Sequence, residues 1–225
     1  LGFGIGLPFA YVLGLAVVVT VLGWLARRIL RRARRPLNRR VLASDLVGML
    51  TFAGVGLLLA LPYLTVVDQH PEARRTIGDL EAFSPPLRGF FIAPGESRIW
   101  GAMHAEARQA LAAPVEMTLL PGFVLYGLAA AGLVFSIWTL RQRILLLAGI
   151  AVSGVLAMGT QFFGGEIGYL LLFRNLPGWD GLRTPGRLVL WTTLLLGILA
   201  AGAIATFVDR ARSEERRVGE ECRSR

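Results

Sequence analysis

Five long apolar runs, separated by arginine-rich or loop-forming segments, constrain this chain more than any other feature. They cover residues 7–26, 41–61, 118–140, 144–162 and 188–208. A helix crossing about 30 Å of hydrocarbon needs ~20 apolar residues, and each run reaches that length. None alternates with period two, and all are too long for strands. In lipid a helix satisfies its own backbone hydrogen bonds, which an open strand cannot. The expected fold is therefore all-α: a polytopic transmembrane helical bundle of five spans, with short helices in two outer loops.

Composition agrees. The chain is 54% hydrophobic and 17% charged, whereas soluble domains run about 45–50% apolar and about 25% charged. That excludes a disordered protein and an ordinary cytosolic enzyme, and a single Cys excludes a disulfide-stapled domain. A net charge of +9 would suit a nucleic-acid binder. The basic residues, however, cluster between apolar runs, which is the pattern of membrane topology, so no nucleic-acid partner is expected. All 24 basic residues are Arg, which we read as the mark of a GC-rich genome.

The ends carry their own expectations. Residue 1 is Leu, in an apolar stretch without a basic leader, so no signal peptide is recognised and the chain is expected to begin within a larger protein. At the other end RSEERRVGEECRSR (212–225) resembles the translated read-through of a common sequencing adapter, departing from it at Glu220, where the adapter form has Lys. The expected organisation is a single membrane domain over 1–211 followed by a non-native tail over 212–225. That tail holds Cys222, the chain's only cysteine.

Orientation follows from charge. The segment RRILRRARRPLNRR (27–40) has eight Arg and no acid. Positive loops stay in the cytoplasm, so the first span runs from outside to inside. The turn at 140–144 and the end after Asp209 then fall inside, and the loops 62–117 and 163–187 fall outside. Trp24, Tyr63, Trp138 and Trp191 lie near span ends, where interfacial aromatics belong. The expected location is the bacterial plasma membrane. The arginine loop could also bind anionic lipid, and membrane lipids are the first expected partners. Gly2 with Gly6, and Gly197 with Ala201, are spaced for close helix packing.

The outer loops are where chemistry could sit. In the first, residues 66–83 read as a short polar helix capped by Asp68, with Pro71 and Glu72 behind it. FSPPLRGFFIAPGESRIW follows, and its two prolines forbid a regular helix. Phe83, Phe90, Phe91 and Trp100 suit a segment at the bilayer surface. Residues 97–113 read as a second helix with Ile99, Met103 and Ala107 on one face. In the second loop, residues 168–173 are apolar but far too short to span, and read as an in-plane or re-entrant helix.

Charges near hydrocarbon are costly and often functional. Glu116 stands just before the third run, Glu166 just after the fourth, and Asp180, Arg183 and Arg187 lead into the fifth. Two guanidinium forks at i and i+4 match phosphate oxygens. Arg183 and Arg187 could equally pair with Asp180 or snorkel to headgroups. Asp45 reads as a first-turn carboxylate of the second helix. His70 and His104 each lack a second nearby ligand, and no metal site is expected. The chain contains no Walker A loop, GxSxG, HExxH or dinucleotide fingerprint.

Several stretches resemble bacterial multi-spanning proteins of the GT-C glycosyltransferase superfamily. They are LPYL (61–64), FSPPLRGFFIAP with the following IWG (83–101), EMTLLPG (116–122) and LPGWDGLRTPGR (176–187). Their order and spacing match over 62–208. The resemblance implies an inverting transferase that moves a sugar from a polyprenyl-phosphate donor to an acceptor on the outer face, with no cofactor. It implies a general-base carboxylate in an early outer loop, expected upstream of Leu1, so no catalytic residue is assigned here. By position it makes Arg183 and Arg187 the donor-phosphate candidates, with Glu116 and Asp180 supporting the site. FSPP departs from the group, which often has an acid after Ser. Two other classes remain open: a transporter or flippase-like protein, and a non-catalytic membrane assembly subunit. The apolar span centres favour surface chemistry over transport.

Overall fold

The computed structural model describes residues 3–31, 39–69 and 75–223, whose regular elements are all helices, with no strand among them. The chain divides into two compact units. One comprises Leu1–Thr76 with Gly178–Leu182, the other Ile77–Pro177 with Arg183–Arg225.

The first unit contains α1 (Phe3–Arg31) and α2 (Arg39–Gln69). Its described aromatic contacts are Phe9 edge-on to Phe52 and Tyr11 against Trp179, each at 5.8 Å between ring centroids. Most described apolar side chains of these helices lie open, as Leu15, Leu50 and Leu58 do. Because α2 begins at Arg39, Asp45 sits beyond its first turn and faces solvent or lipid, so the helix-terminus role is not met. Asp68 lies inside α2 and does not cap a new helix. His70, Pro71 and Glu72 lie outside the described residues.

The second unit starts with α3 (Ile77–Phe83), and the next segment turns at Ser84, Pro85 and Pro86 into a 3-10 turn, Leu87–Phe91. The helix expected over 97–113 is instead a series of turns leading to the short α4 (Ala105–Gln109). Ile99 and Met103 are 72% and 70% exposed, so that face gains nothing from burial. Then come α5 (Pro114–Met117), α6 (Phe123–Val134), α7 (Leu140–Ala157), α8 (Tyr169–Asn175) and α9 (Val189–Arg223).

Among the described residues three helices are long and apolar enough to cross a membrane, through windows Gly6–Gly23, Leu140–Ala157 and Pro185–Glu214. Ala43–Leu58 and Phe123–Val134 are shorter apolar stretches. The third run differs most from expectation. Residues 118–122 are extended, because Pro121 lacks an amide and Gly122 holds φ at +129°, a value that resists a side chain. The helix ends at Val134, and the turn falls over 135–139 rather than 140–144. Thr139 starts α7 with a capping box: its hydroxyl accepts from the Gln142 amide at 3.4 Å, and the Gln142 side-chain oxygen accepts from the Thr139 amide at 2.9 Å. The fourth run therefore begins and ends earlier than expected, and residues 159–165 form 3-10 turns. α9 continues as helix through the polar residues 212–223.

The core of this unit joins α6 to α9 through Ala129, Leu196 and Leu199, with Leu133, Leu146 and Ile150 packed around them. Gly132 permits the contact, since a Cβ there would overlap the Leu199 carbonyl. Gly202 does the same for Ser136 and Trp138, and the Trp138 indole N–H donates to the Ile198 carbonyl at 2.9 Å. The pair expected from spacing, Gly197 and Ala201, is not the contact point. A Cβ at Gly197 meets nothing within 4 Å, and Ala201 is exposed.

Candidate functional site

The motif FSPP ends α3 and cannot continue it, since proline supplies no amide and pushes its predecessor out of helix. Ser84, thus placed, is fully buried. Its hydroxyl donates to the Leu80 carbonyl at 2.7 Å and accepts the Thr160 amide at 3.0 Å. Gly159 next to Thr160 has φ of +57°, and a Cβ there would collide with the Ser84 hydroxyl and the Pro185 ring. Pro85 and Pro185 are both fully buried. The two proline motifs, about a hundred residues apart in sequence, thus belong to one close-packed knot.

A third segment joins it. The Leu119 amide donates to the Gly89 carbonyl at 2.9 Å, and the Leu120 amide to the Ile92 carbonyl at 3.3 Å. The extended stretch after α5 thereby finds partners that a helix would have supplied. A Cβ on Gly186 would lie 2.9 Å from the Glu116 carbonyl, so the start of the 3-10 turn Pro185–Leu188 presses directly on α5.

That approach brings two of the expected site residues together. Arg187 Nη2 lies 3.3 Å from Glu116 Oε1, with side chains 50% and 24% exposed. A guanidinium has five N–H donors, and this contact engages one nitrogen, so the fork can still receive an anion. Arg183 does not join the pair. Its guanidinium lies over the Phe83 ring at 4.4 Å, a cation–π contact. Asp180 is exposed on the turn Trp179–Gly181, grouped with the first unit, and forms no ion pair among the described residues. Glu166 is held in a fork by Arg174, at 2.7 and 2.9 Å.

Beside the knot the second unit holds a cavity of about 550 Å³, within the roughly 300–1,000 Å³ of small-ligand sites. Leu87, Phe90, Phe91, Tyr126, Thr192 and Leu196 are among its lining residues. The Tyr126 hydroxyl donates to the Phe90 carbonyl at 2.9 Å, tying the 3-10 turn to α6. Thr192 and Ser153 satisfy each other at 2.9 Å. The lining is otherwise apolar, which suits a hydrocarbon chain better than a sugar. Thr192, which lines the cavity, follows Arg187 by five residues in the chain, across the start of α9.

Ser84, Gly159, Tyr126 and Thr192 were not singled out from the sequence. Ser84 and Gly159 belong to a contact between segments joined by the Thr160–Ser84 hydrogen bond across 76 residues, and only the FSPP motif could have marked Ser84. Among the described residues no three His, Cys, Asp or Glu side chains are grouped to hold a metal. Comparison with family models, curated proteins and solved structures gives no match.

Proposed function

We propose that the chain belongs to a GT-C-like membrane glycosyltransferase that takes a sugar from a polyprenyl-phosphate donor on the outer face of the bacterial plasma membrane. The observation that carries this reading is that one unit holds both a half-exposed guanidinium, Arg187, and an apolar cavity whose lining residue Thr192 lies five residues further along the chain. An amphiphile with a phosphate head and an isoprenoid tail matches both. Glu116 holds Arg187 in place, and Arg183 on Phe83 supplies a second cation close in sequence. The general base is not assigned to any of these residues.

The same reading includes five membrane crossings, with the arginine-rich segment 27–40 cytoplasmic. α6 alone covers about 18 Å, short of the ~30 Å hydrocarbon layer. Irregular backbone is tolerated at membrane depth only where protein satisfies it. Both flanks of α6 meet that condition. The amides of Leu119 and Leu120 bond to Gly89 and Ile92. Arg143 donates to the carbonyls of Leu133, Val134, Ser136 and Trp138 at 3.0, 2.9, 2.8 and 2.7 Å. The α6 and α9 centres carry no charged residue, and α7 has none beyond its first turn, which supports chemistry at the surface over transport through the bundle.

The test is binding of undecaprenyl phosphate to the chain in lipid nanodiscs, with phosphatidylglycerol as competitor. Replacing Arg183 and Arg187 together by Ala is expected to weaken binding about tenfold or more, since one charged hydrogen bond contributes ~1.5–3 kcal/mol. Equal affinity for both lipids, or none lost in the double variant, would leave an assembly subunit as the better reading.

A further inference from the structure

We infer that His104 is a pH-operated latch on the outer-loop segment 92–104. Ala93 is only 1% exposed, so both polar groups of its backbone need partners inside the protein. Its N–H donates to His104 Nδ1 at 3.0 Å. Its carbonyl accepts from the Arg108 guanidinium at 3.1 Å, and the same nitrogen also reaches the Gly101 carbonyl at 2.6 Å. Two side chains one helical turn apart thus grip one residue and close the loop between them. The His104 ring also stacks on Trp100, with 6.1 Å between centroids, and both rings meet Phe123 at the start of α6.

The chemistry of the grip fixes the state of the imidazole. A nitrogen that accepts a hydrogen bond carries no proton, so the ring is neutral with its hydrogen on Nε2. Protonation places an N–H against the buried N–H of Ala93 and removes the acceptor. It also sets a second positive charge one turn from Arg108. The other charged groups nearby do not offset this. Glu106 on the same helix and Glu96 and Arg98 on the loop are exposed, and Arg88 spends its guanidinium on the Ala110 carbonyl. α6 contributes Phe123 and no charge. Among the described residues no carboxylate pairs with His104.

Histidine is the side chain whose charge ordinarily changes between about pH 5 and pH 8. Acidification therefore frees the Ala93 amide while Arg108 still holds its carbonyl, and loosens the loop that exposes Ile99 and Met103 beside Trp100. The strap upstream stays fastened by Tyr126 to Phe90 and by Leu120 to Ile92, so the opening is confined to 92–104. Nothing here depends on sugar transfer. Only the compartment whose acidity is sensed rests on the topology proposed above.

Amide hydrogen exchange of the full chain in detergent micelles tests the latch, comparing about pH 7.5 with about pH 5. After correction for intrinsic exchange, protection of 92–104 is expected to fall about tenfold at the acidic pH, as one buried amide loses its partner. Protection of α7 is expected to stay constant. His104→Gln keeps an acceptor oxygen at either pH and is expected to hold the loop closed at both. Unchanged wild-type protection of 92–104, or equal loosening in His104→Gln, overturns the latch. If the variant loses α7 protection as well, the wild-type comparison alone decides.

Discussion

The two units differ in their use of glycine, although both are built from long apolar helices. In α1 and α2, a Cβ built on Gly6, Gly14, Gly48, Gly54 or Gly56 meets nothing within 4 Å. In the second unit Gly127, Gly154 and Gly197 are equally open, but a Cβ on Gly132, Gly159, Gly186 or Gly202 runs into backbone or into a packed side chain. The same residue type is a permissive filler in one place and a contact point in the other. Helices that lie in lipid gain little from burying apolar surface against one another, so close approach and polar clamps decide which of them hold together. By that measure the second unit is assembled and the first presents faces still available to lipid or to other helices.

Alanine replacement at these glycines separates the two regimes. Gly132→Ala forces α6 away from the Leu199 backbone, and Gly159→Ala adds left-handed strain to a collision with Ser84 and Pro185. Each is expected to destabilise by about 2–3 kcal/mol, the upper end of ordinary overpacking. Gly14→Ala and Gly54→Ala are expected to be neutral or to stabilise by about 0.5 kcal/mol, because alanine favours helix. Thermal unfolding in detergent, monitored by circular dichroism, reads the difference. A large loss at Gly54 would mean that α2 is already tightly covered.

Arg143 sharpens the comparison with a polar contact. Its guanidinium gathers four carbonyls at the end of α6 and over the following turn, the orphans that every helix terminus leaves. Arg143→Met keeps much of the stem and removes the donors. We expect a loss of about 2 kcal/mol, in the range for hydrogen bonds to a charged group. Arg141, two residues away and exposed, is the matched control: Arg141→Met should change stability by less than about 0.5 kcal/mol. Unfolding midpoints of the two variants side by side check this.

Arginine 143 also shows where sequence reading stops. The apolar runs announce helices because hydrophobicity is local: α1, α2 and α9 cover their runs, and α7 is displaced toward the N-terminus of its own. What shortens α6 is partly local, in Pro121 and Gly122, and partly remote, in the docking of Ser136 and Trp138 against Gly202. Near the span ends Arg143 reads as a topology charge, and nothing in its neighbourhood says that it folds back onto Leu133. The site divides in the same way. Glu116 and Arg187 stand just before the third and fifth runs, which start from the same expected side, so position already places them on one face. The placement of Arg183 on Phe83 needs the knot of Pro85 and Pro185, which forms between residues a hundred apart. Turn-rich segments were the least legible, since 97–113 has helical spacing of apolar residues but exposes them.

The smallest effect expected is at Ser153 and Thr192, the buried hydroxyl pair between α7 and α9. A double-mutant cycle of Ser153→Ala and Thr192→Val, read from unfolding in detergent, should give a coupling of only about 0.6 kcal/mol, typical of hydroxyl contacts between membrane helices. The reason lies in the geometry. The Ser153 hydroxyl also reaches the Ile150 carbonyl of its own helix at 3.2 Å, so losing Thr192 does not orphan it. Thr192 in turn lines the cavity, and valine there keeps the volume while removing its hydroxyl. Stability should therefore hardly respond. A coupling well above that value would mean that the pair, rather than the close approach of Gly149 on α7 to Leu195 on α9, clamps these two helices, and the contrast between the two units would then rest in part on hydrogen bonding.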